Sequence, residues 1–198
     1  PSNTKSKEMK RTTDFIIAGM CLVVFSPLML ICAFCIRWED GLPVIYKQER
    51  IGLHGKPFYI YKFRSMRIDA EKDGPDLLEI KGDPRLTKVG RFLRAHHLDE
   101  LPQLWNVFKG DMSFIGPRPE RKFYIDQIME HDSRYQFLYQ IRPGVTSYAT
   151  LYNGYTDTME KMLRRLELDL YYLEHRSWWF DAKILLKTFS NIVFGKKF

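Results

Sequence analysis

Two adjacent carboxylates, Asp99 and Glu100, are the residues of this chain whose types and spacing best suit chemistry on a phosphate. They directly precede an apolar pattern of helical spacing that runs from Leu101 to Phe108. The pair also has a purely structural interpretation, because Asp is a common helix N-cap and an acid in the first turn favours the helix dipole. Taken alone, the pair favours a helix start, so its surroundings must decide.

Cationic side chains in loops and at helix ends supply those surroundings. Arg118 lies between Pro117 and Pro119, which limit backbone freedom and pre-orient a guanidinium fork that matches phosphate oxygens. A carboxylate beside many cations is expected to have a lowered pKa and to be ionised, and so to act as a nucleophile or metal ligand. The other members of the set are Lys62, Arg64, Arg94, His96, His97 and Arg142.

A carboxylate pair that meets phosphate also predicts Mg²⁺ as a cofactor, with Asp99 and Glu100 as its protein ligands. Magnesium prefers one or two carboxylates plus substrate phosphates to a full protein cage. The chain has no Walker A sequence, no glycine-rich dinucleotide loop and no His-Glu-x-x-His. Adenine-nucleotide hydrolysis and zinc proteolysis are therefore poorly supported.

Composition predicts a folded domain with anionic partners. The 198 residues suffice for one domain of ordinary size plus an appendage, and 45% hydrophobic residues exclude a disordered chain. The net charge of +7 favours nucleic acid, anionic lipid or phosphorylated small molecules as partners. The three cysteines share one apolar run, which argues against a disulfide framework and for a reducing compartment. The chain begins Pro1-Ser2 instead of Met, and we exclude these residues from fold reasoning as a remnant of cloning.

The appendage is the apolar run from Phe15 to Ile36, which has 22 residues without a charge and is long enough to cross a bilayer. Pro27 at its middle cannot donate an N–H to the carbonyl of Val23, and Ser26 can bond back to the carbonyl of Leu22. Both flanks are basic, so the positive-inside rule gives no orientation. A single span and a re-entrant hairpin that breaks at Ser26-Pro27 both remain open.

The remaining pattern predicts short strands and several amphipathic helices. An extended segment 58–66 would place Lys62 and Arg64 on one face, either to grip phosphate or as a solvated basic edge. The helix from Arg85 to Arg94 suits an anionic membrane surface or an ordinary protein surface. The aromatic, apolar and basic tail, which includes Lys196 and Lys197, suits an interfacial membrane helix or a core-packing helix. Further predictions are a strand at 42–46, a surface loop at 67–84, helices at 101–108, 120–140 and 157–175, and a turn at 142–146.

Short motifs follow one another in order over nearly the whole chain, from about residue 10 to residue 190. They are Asp14-Phe15, Phe25-Ser26-Pro27, Tyr61-Lys62-Phe63-Arg64-Ser65-Met66, Leu98-Asp99-Glu100-Leu101-Pro102-Gln103-Leu104, Asn106-Val107, Lys109-Gly110-Asp111-Met112-Ser113, Gly116-Pro117-Arg118-Pro119, Arg142-Pro143-Gly144-Val145-Thr146 and Asp169-Leu170-Tyr171-Tyr172. In this order they resemble the motifs of the bacterial sugar transferases, the small monotopic phosphoglycosyl transferases.

The resemblance implies an enzyme on the cytoplasmic face of a bacterial inner membrane. It would move a sugar phosphate from a nucleoside diphosphate sugar, usually a UDP-sugar, to a polyprenol phosphate, giving polyprenol diphosphate sugar and UMP. This is the first membrane step in assembling a capsule, O-antigen or glycoprotein glycan. The implied partners are the sugar nucleotide, polyprenol phosphate and membrane lipid, with no nucleic acid.

The resemblance also implies residue roles. Asp99 would attack the β-phosphate and form a covalent sugar-phosphate intermediate, while Glu100 would activate the acceptor phosphate or help to place Mg²⁺. Arg118 would bind phosphate, with Lys62, Arg64 and Arg142 as further phosphate-binding candidates. The family's membrane helix is re-entrant and breaks at Ser-Pro, which favours the hairpin at Ser26-Pro27.

The expected architecture is therefore α+β and mainly helical. It comprises a re-entrant membrane helix-break-helix in residues 1–36 and a catalytic domain in residues 37–198, with amphipathic interfacial helices and a small β element around the active site. The chain departs from the family pattern at Ser147-Tyr148-Ala149-Thr150 and Asn153-Gly154-Tyr155, which puts the donor's identity in doubt. It also lacks the extra N-terminal transmembrane domain of larger members and looks like a minimal catalytic form.

Two other functions compete with this one. A membrane-anchored basic module that binds anionic lipid or nucleic acid explains the charge and the apolar run, but not the placement of Asp-Glu and Pro-Arg-Pro. Direct transfer in a single displacement, with the carboxylates serving only Mg²⁺, is the enzymatic alternative.

Overall fold

A computed structural model describes residues 2–70, 72, 83–154 and 156–194, and the side chains of residues 2 and 3 are not included. Most of the predicted loop 67–84, together with Tyr155, Lys196 and Lys197, lies outside the described residues. The chain forms two compact units. The first comprises Pro1–Gln48 and Tyr59–Lys109, and the second comprises Glu49–Phe58 and Gly110–Phe198. This division by packing differs from the predicted membrane boundary after residue 36, which stays a prediction.

The first unit begins with α1, a helix of 39 residues from Ser2 to Asp40. Its segment Thr4–Asp40 is long and apolar enough to cross a membrane by length and composition, and only 11% of its most apolar window is buried. The helical structure continues through Pro27, so the predicted break in secondary structure at Ser26-Pro27 is wrong. The Ser26 hydroxyl donates 2.8 Å to the carbonyl of Val23, the group that Pro27 leaves without a donor, and not to Leu22 as predicted.

Three short elements of the first unit pack on α1. They are α2 (Lys88–Ala95), a 3₁₀ turn (Leu98–Glu100) and α3 (Gln103–Lys109). Phe15 stacks on Phe108 at 4.6 Å between ring centroids, and Arg11 donates to the carbonyls of Val107 and Phe108. Further along α1 and beyond it, a buried apolar cluster comprises Cys32, Ile36, Phe63 and Leu93. The predicted helices at 85–94 and 101–108 are confirmed, and Gly110 ends the second with a positive φ of 104°.

The strands β1 (Ile45–Ile51) and β2 (Pro57–Phe63) form a two-stranded sheet. The predicted strand pattern is thus confirmed, with different bounds. Asn106 of α3 is fully buried, and its side chain forms hydrogen bonds with the backbone of β2. Its amide nitrogen donates 2.7 Å to the carbonyl of Tyr59, and its amide oxygen accepts from the N–H of Tyr61 at 3.1 Å. A side chain of α3 therefore fixes the strand that carries Lys62.

The second unit contains a parallel strand pair that the sequence did not predict. β3 (Ser113–Ile115) pairs with β4 (Gly144–Thr146), with Ser113 opposite Gly144 and Ile115 opposite Thr146. The predicted turn at 142–146 is therefore partly strand. Three-residue strands carry almost no period-2 signal, so only the closeness of distant segments reveals them.

Helices make up most of the second unit, and they are α4 (Lys122–His131), α5 (Tyr148–Asn153), α6 (Met159–His175) and α7 (Trp178–Val193). The predicted single helix at 120–140 is wrong, because extended Asp132 ends α4 and caps a 3₁₀ segment, Ser133–Gln140. Ile184 of α7 is buried, while Trp179, Leu186 and Phe189 are more than two-thirds exposed. This exposed apolar face favours the interfacial over the core-packing interpretation. The fold is mainly helical with small sheets, as expected.

Candidate active site

The chain reverses just before the predicted catalytic pair. His97, two residues after the end of α2, adopts a left-handed conformation with φ 55° and ψ 21°. The turn Leu98–Glu100 follows, so Asp99 lies before α3 and not inside it. Asp99 is 7% exposed. Glu100 is partly exposed, and one of its carboxylate oxygens lies 3.6 Å from Nζ of Lys62. The first unit thus brings Asp99, Glu100 and Lys62 together.

The electrostatics of Asp99 differ from the expectation. Burial raises the pKa of Asp99, and the neighbouring charge of Glu100 raises it further. Lys62, Arg94 and His97 act in the opposite direction but do not outweigh these two effects. The predicted lowering of this pKa is therefore wrong, because the sequence shows nearby cations but not how completely the carboxyl is buried.

The donor set at this site fits magnesium. Among the described residues, no group of three or more His, Cys, Asp or Glu side chains could hold a metal ion. Two adjacent carboxylates, one buried and one partly exposed, are what an ion that takes its other ligands from phosphate and water requires. A divalent cation at Asp99 and Glu100 would relieve the repulsion between them. Magnesium at this pair stays a prediction.

Ser65 belongs to this site, although no role was predicted for it from the sequence. Its hydroxyl accepts a hydrogen bond of 2.8 Å from Nε of Arg94, whose charge acts on the Asp99 carboxyl. Ser65 is buried, and it stands in the same short motif as Lys62 and Arg64. The motif is the one sequence feature that could have drawn attention to Ser65. Its hydrogen-bond partner lies 29 positions further along the chain, so the contact itself could not be predicted from local sequence.

The contacts of Arg64 are structural. The side chain is 6% exposed and donates from Nη1 to the carboxylate of Asp40 at 2.8 Å. Its Nη2 donates to the backbone carbonyls of Asp40 and Gly41 at 2.9 and 3.0 Å. Lys62 lies in β2 and Arg64 just after its end, and the two side chains have different partners, Glu100 for Lys62 and Asp40 for Arg64. Phosphate binding by Arg64 stays a prediction with these contacts against it.

In the second unit, Arg118 is presented outward from a fixed loop. Arg118 is exposed, whereas Pro117 and Pro119 on either side are buried. The carbonyl of Pro117 accepts the N–H of Gly144 at 2.9 Å. Arg118 lines an open cleft that it shares with Tyr135 and Tyr139. A guanidinium held in this way is suited to an anion arriving from solvent.

A buried ionic cluster lies beside Arg118. Glu120 pairs with Arg165 at 2.6 Å and with Arg50 at 3.5 Å. Asp169, the next acid on this face of α6, is 3% exposed, and its burial raises its pKa to about 7 despite the opposing charges of Arg165 and Arg118. The sequence did not predict this cluster. In the sequence, the only indication of this cluster is the presence of charged residues on the apolar face of α6.

The other predicted residues have local partners. Nε of Arg142 donates 2.8 Å to the carbonyl of Gly110. His96 stacks on Phe92 with 4.3 Å between ring centroids. In the departing segment, Ser147 caps α5 by accepting the N–H of Thr150 at 3.0 Å. Lys62, Arg64, Asp99 and Glu100 thus belong to the first unit, and Arg118 and Arg142 belong to the second.

The chain belongs to the bacterial sugar transferase family, whose model matches residues 5–195. It is 40% identical over 187 residues to the UDP-N-acetylgalactosamine-undecaprenyl-phosphate N-acetylgalactosaminephosphotransferase of Aeromonas hydrophila, covering 94% of this chain and 44% of that protein. It is also 40% identical over 190 residues to the UDP-glucose:undecaprenyl-phosphate glucose-1-phosphate transferase of Escherichia coli, covering 95% of this chain and 41% of that protein. A protein of the same name from Caulobacter vibrioides is 41% identical over 187 residues, 93% of this chain and 69% of that protein. The chain thus spans less than half the length of the first two relatives.

Proposed function

We propose that this protein transfers a sugar phosphate from a UDP-sugar to a membrane polyprenol phosphate, giving polyprenol diphosphate sugar and UMP. The observation that carries the proposal is the buried Asp99 carboxyl, held among Glu100, Lys62 and Arg94. The names of the similar proteins supply the substrate class, because each pairs a UDP-sugar or a sugar phosphate with undecaprenyl phosphate.

The proposed reaction has two displacements at phosphorus. An oxygen of Asp99 attacks the β-phosphate of the donor, and the bond between that phosphorus and the bridging oxygen breaks. UMP leaves with the bonding electrons, and the sugar phosphate stays on Asp99. An oxygen of the polyprenol phosphate then attacks the same phosphorus and releases the Asp99 carboxylate. Two steps allow UMP to leave before the second anion arrives.

The surrounding residues offset charge in both steps. Lys62 and Arg94 lower the cost of an ionised Asp99 and attract the donor's diphosphate. Glu100 is partly exposed and paired with Lys62, which suits it to orient or deprotonate the acceptor phosphate. The fork of Arg118 holds phosphate oxygens. Magnesium at Asp99 and Glu100, when bound, supplies charge neutralisation on the transferred phosphoryl group.

A re-entrant α1 on the cytoplasmic face of the inner membrane completes the proposal. Both ends of α1 are tied to one small network. Arg11 binds the carbonyl of the residue after Asn106, Asn106 binds Tyr61, and Arg64, three residues after Tyr61, binds Asp40. All of these residues belong to the first unit, which α1 therefore contacts near both of its ends. A bend in α1 would keep both ends on one membrane face, and Pro27 is the residue that permits it.

Labelling with a membrane-impermeant thiol reagent tests this topology. We expect single cysteines placed at Lys10 and Trp38, on a background that lacks Cys21, Cys32 and Cys35, to react from the same side of inverted vesicles. Reaction from opposite sides would show that α1 spans the membrane.

The chemistry is tested by incubating the protein with a panel of UDP-sugars that carry a labelled β-phosphate, without acceptor. We expect a covalent adduct that Asp99→Asn abolishes. A matched control is Asp126→Asn, an exposed acid of α4 that pairs with Lys122, and it should keep the full yield. Turnover without adduct would indicate direct transfer, and no turnover with any donor would favour the binding module.

A further inference from the structure

The end of α1 is joined to the start of α2 by one side chain. The two carboxylate oxygens of Glu39 accept the backbone N–H groups of Lys88 and Val89, each at 2.8 Å. The first N–H groups of a helix lack partners within it, and a carboxylate there also meets the favourable end of the helix dipole. Glu39 thus caps a helix that begins 49 residues further along the chain, with two charge-assisted hydrogen bonds.

Asp40, the next residue of α1, makes a second hydrogen-bonded connection. The carboxylate and the carbonyl of Asp40 accept hydrogen bonds from the guanidinium of Arg64. Ser65, which follows Arg64, accepts the N–H of Thr87 on its carbonyl at 3.1 Å. Glu39 and Asp40 therefore hold α2 and the end of β2 at adjacent positions on α1.

The backbone of α2 packs directly against the backbone of Ser65 at Gly90. A Cβ atom on Gly90 would lie 1.9 Å from the carbonyl oxygen of Ser65. One turn further along α2, Arg94 donates to the hydroxyl of the same Ser65. The position of α2 along Ser65 thus determines where the guanidinium of Arg94 lies, and the charge of Arg94 acts on the Asp99 carboxyl.

We propose that Glu39 is a positioning residue for the chemical step at Asp99, because it fixes α2 to the end of α1 and so keeps Arg94 beside the carboxyl. This inference rests on the proposed function, since it assumes that Asp99 attacks the donor. It adds that the membrane helix is a structural part of the catalytic site and not only an anchor. A misplacement of about 1 Å in a catalytic site can lower a rate about 100-fold.

The test compares Glu39→Ala, Glu39→Gln and Thr87→Ala in the full chain, in detergent or nanodiscs. Thr87 caps the same helix by accepting the N–H of Gly90 at 2.9 Å, and its hydroxyl lies 3.5 Å from the carbonyl oxygen of Ser65. Within the described residues Thr87 makes no hydrogen bond to α1, so it is the matched control. The measurements are the single-turnover rate of adduct formation, the KM for the UDP-sugar, and amide hydrogen exchange at Lys88 and Val89.

We expect Glu39→Ala to lower the rate of adduct formation about 10- to 100-fold with the donor KM changed less than about twofold. Exchange at Lys88 and Val89 should become faster. Glu39→Gln keeps one acceptor oxygen and should recover part of the rate. If the alanine variant does not fold, the glutamine variant tests the inference in its place. Thr87→Ala should stay within about threefold of the wild type, because it weakens the cap without freeing α2 from α1.

Three results would overturn the inference. They are an unchanged rate in Glu39→Ala, an equal loss in Thr87→Ala, or a loss that appears only in the donor KM. All three are judged against a wild type that forms the adduct, and a wild type that forms none would instead contradict the proposed function.

Discussion

Glu120 and Arg165 form an ion pair of 2.6 Å in which both side chains are at least 93% buried. Removing one partner of a buried pair leaves an uncompensated charge, which typically costs about 3–5 kcal/mol. We therefore expect Arg165→Leu to lower the free energy of unfolding by roughly that amount, as measured by chemical denaturation in detergent.

The double variant Glu120→Leu with Arg165→Leu is the control for this pair. It removes both charges, so it should recover much of the loss, because a buried pair is often replaced by apolar residues at little cost. A double variant as unstable as the single one would show that the cluster needs Glu120 for Arg50 as well.

Asp169 should make stability fall as pH rises. Its folded-state pKa is about 7 because of burial, against 3.8 for an ordinary Asp. Its contribution is therefore fully present below about pH 4 and is lost as pH rises through about 7. Asp169→Asn cannot ionise, so the thermal stability of the wild type relative to this variant should fall between about pH 4 and pH 7 and level off above that range. Parallel stability curves over that range would contradict the prediction.

Gly90→Ala should prevent correct packing of the first unit. Its Cβ would meet the backbone of Ser65 at 1.9 Å, and a backbone atom cannot move aside as a side chain can. We expect a loss of adduct formation and a clearly lower midpoint of thermal unfolding. Gly19→Ala is the matched control, since its Cβ would meet only the ring of Phe108 at 3.3 Å. Equal tolerance of both changes would argue against the close approach of α2 to Ser65.

Two arginine-to-lysine changes separate structure from substrate binding. Arg118→Lys keeps the charge but loses the fork, so kcat/KM for the UDP-sugar should fall about 10- to 100-fold with little change in stability. Arg64→Lys loses hydrogen bonds to Asp40 and Gly41, so it should lower stability by about 1.5–3 kcal/mol and leave the donor KM of the folded protein unchanged. A raised donor KM in Arg64→Lys would restore its predicted role as a phosphate ligand.

Magnesium should be required for adduct formation. Treatment with EDTA is expected to abolish the labelled Asp99 adduct, and added Mg²⁺ should restore it, because the carboxylate pair and the donor's phosphates share the ion. Glu100→Gln should raise the Mg²⁺ concentration needed for half-maximal adduct. Full adduct yield in EDTA would show that Lys62 and Arg94 suffice to neutralise charge.

The sequence by itself determined the features that depend on local order. Its uncharged run of 22 residues predicted the long apolar helix, and periodicity predicted α2, α3 and α6. The Pro-Arg-Pro spacing correctly indicated an arginine presented between two fixed residues, because proline acts on its own backbone. The order of the motifs identified the family.

Only the tertiary structure decided the properties that depend on burial and on distant partners. Ser26 preserves the helix at Pro27, and the contacts of Arg64 are with Asp40. The sign of the Asp99 pKa shift also belongs here, since the penalty for burying a carboxylate depends on everything packed around it. The cluster of Glu120, Arg165 and Asp169 joins residues up to 49 positions apart. Charge is visible in a sequence, but the dielectric surroundings that set its energy arise only when the chain folds.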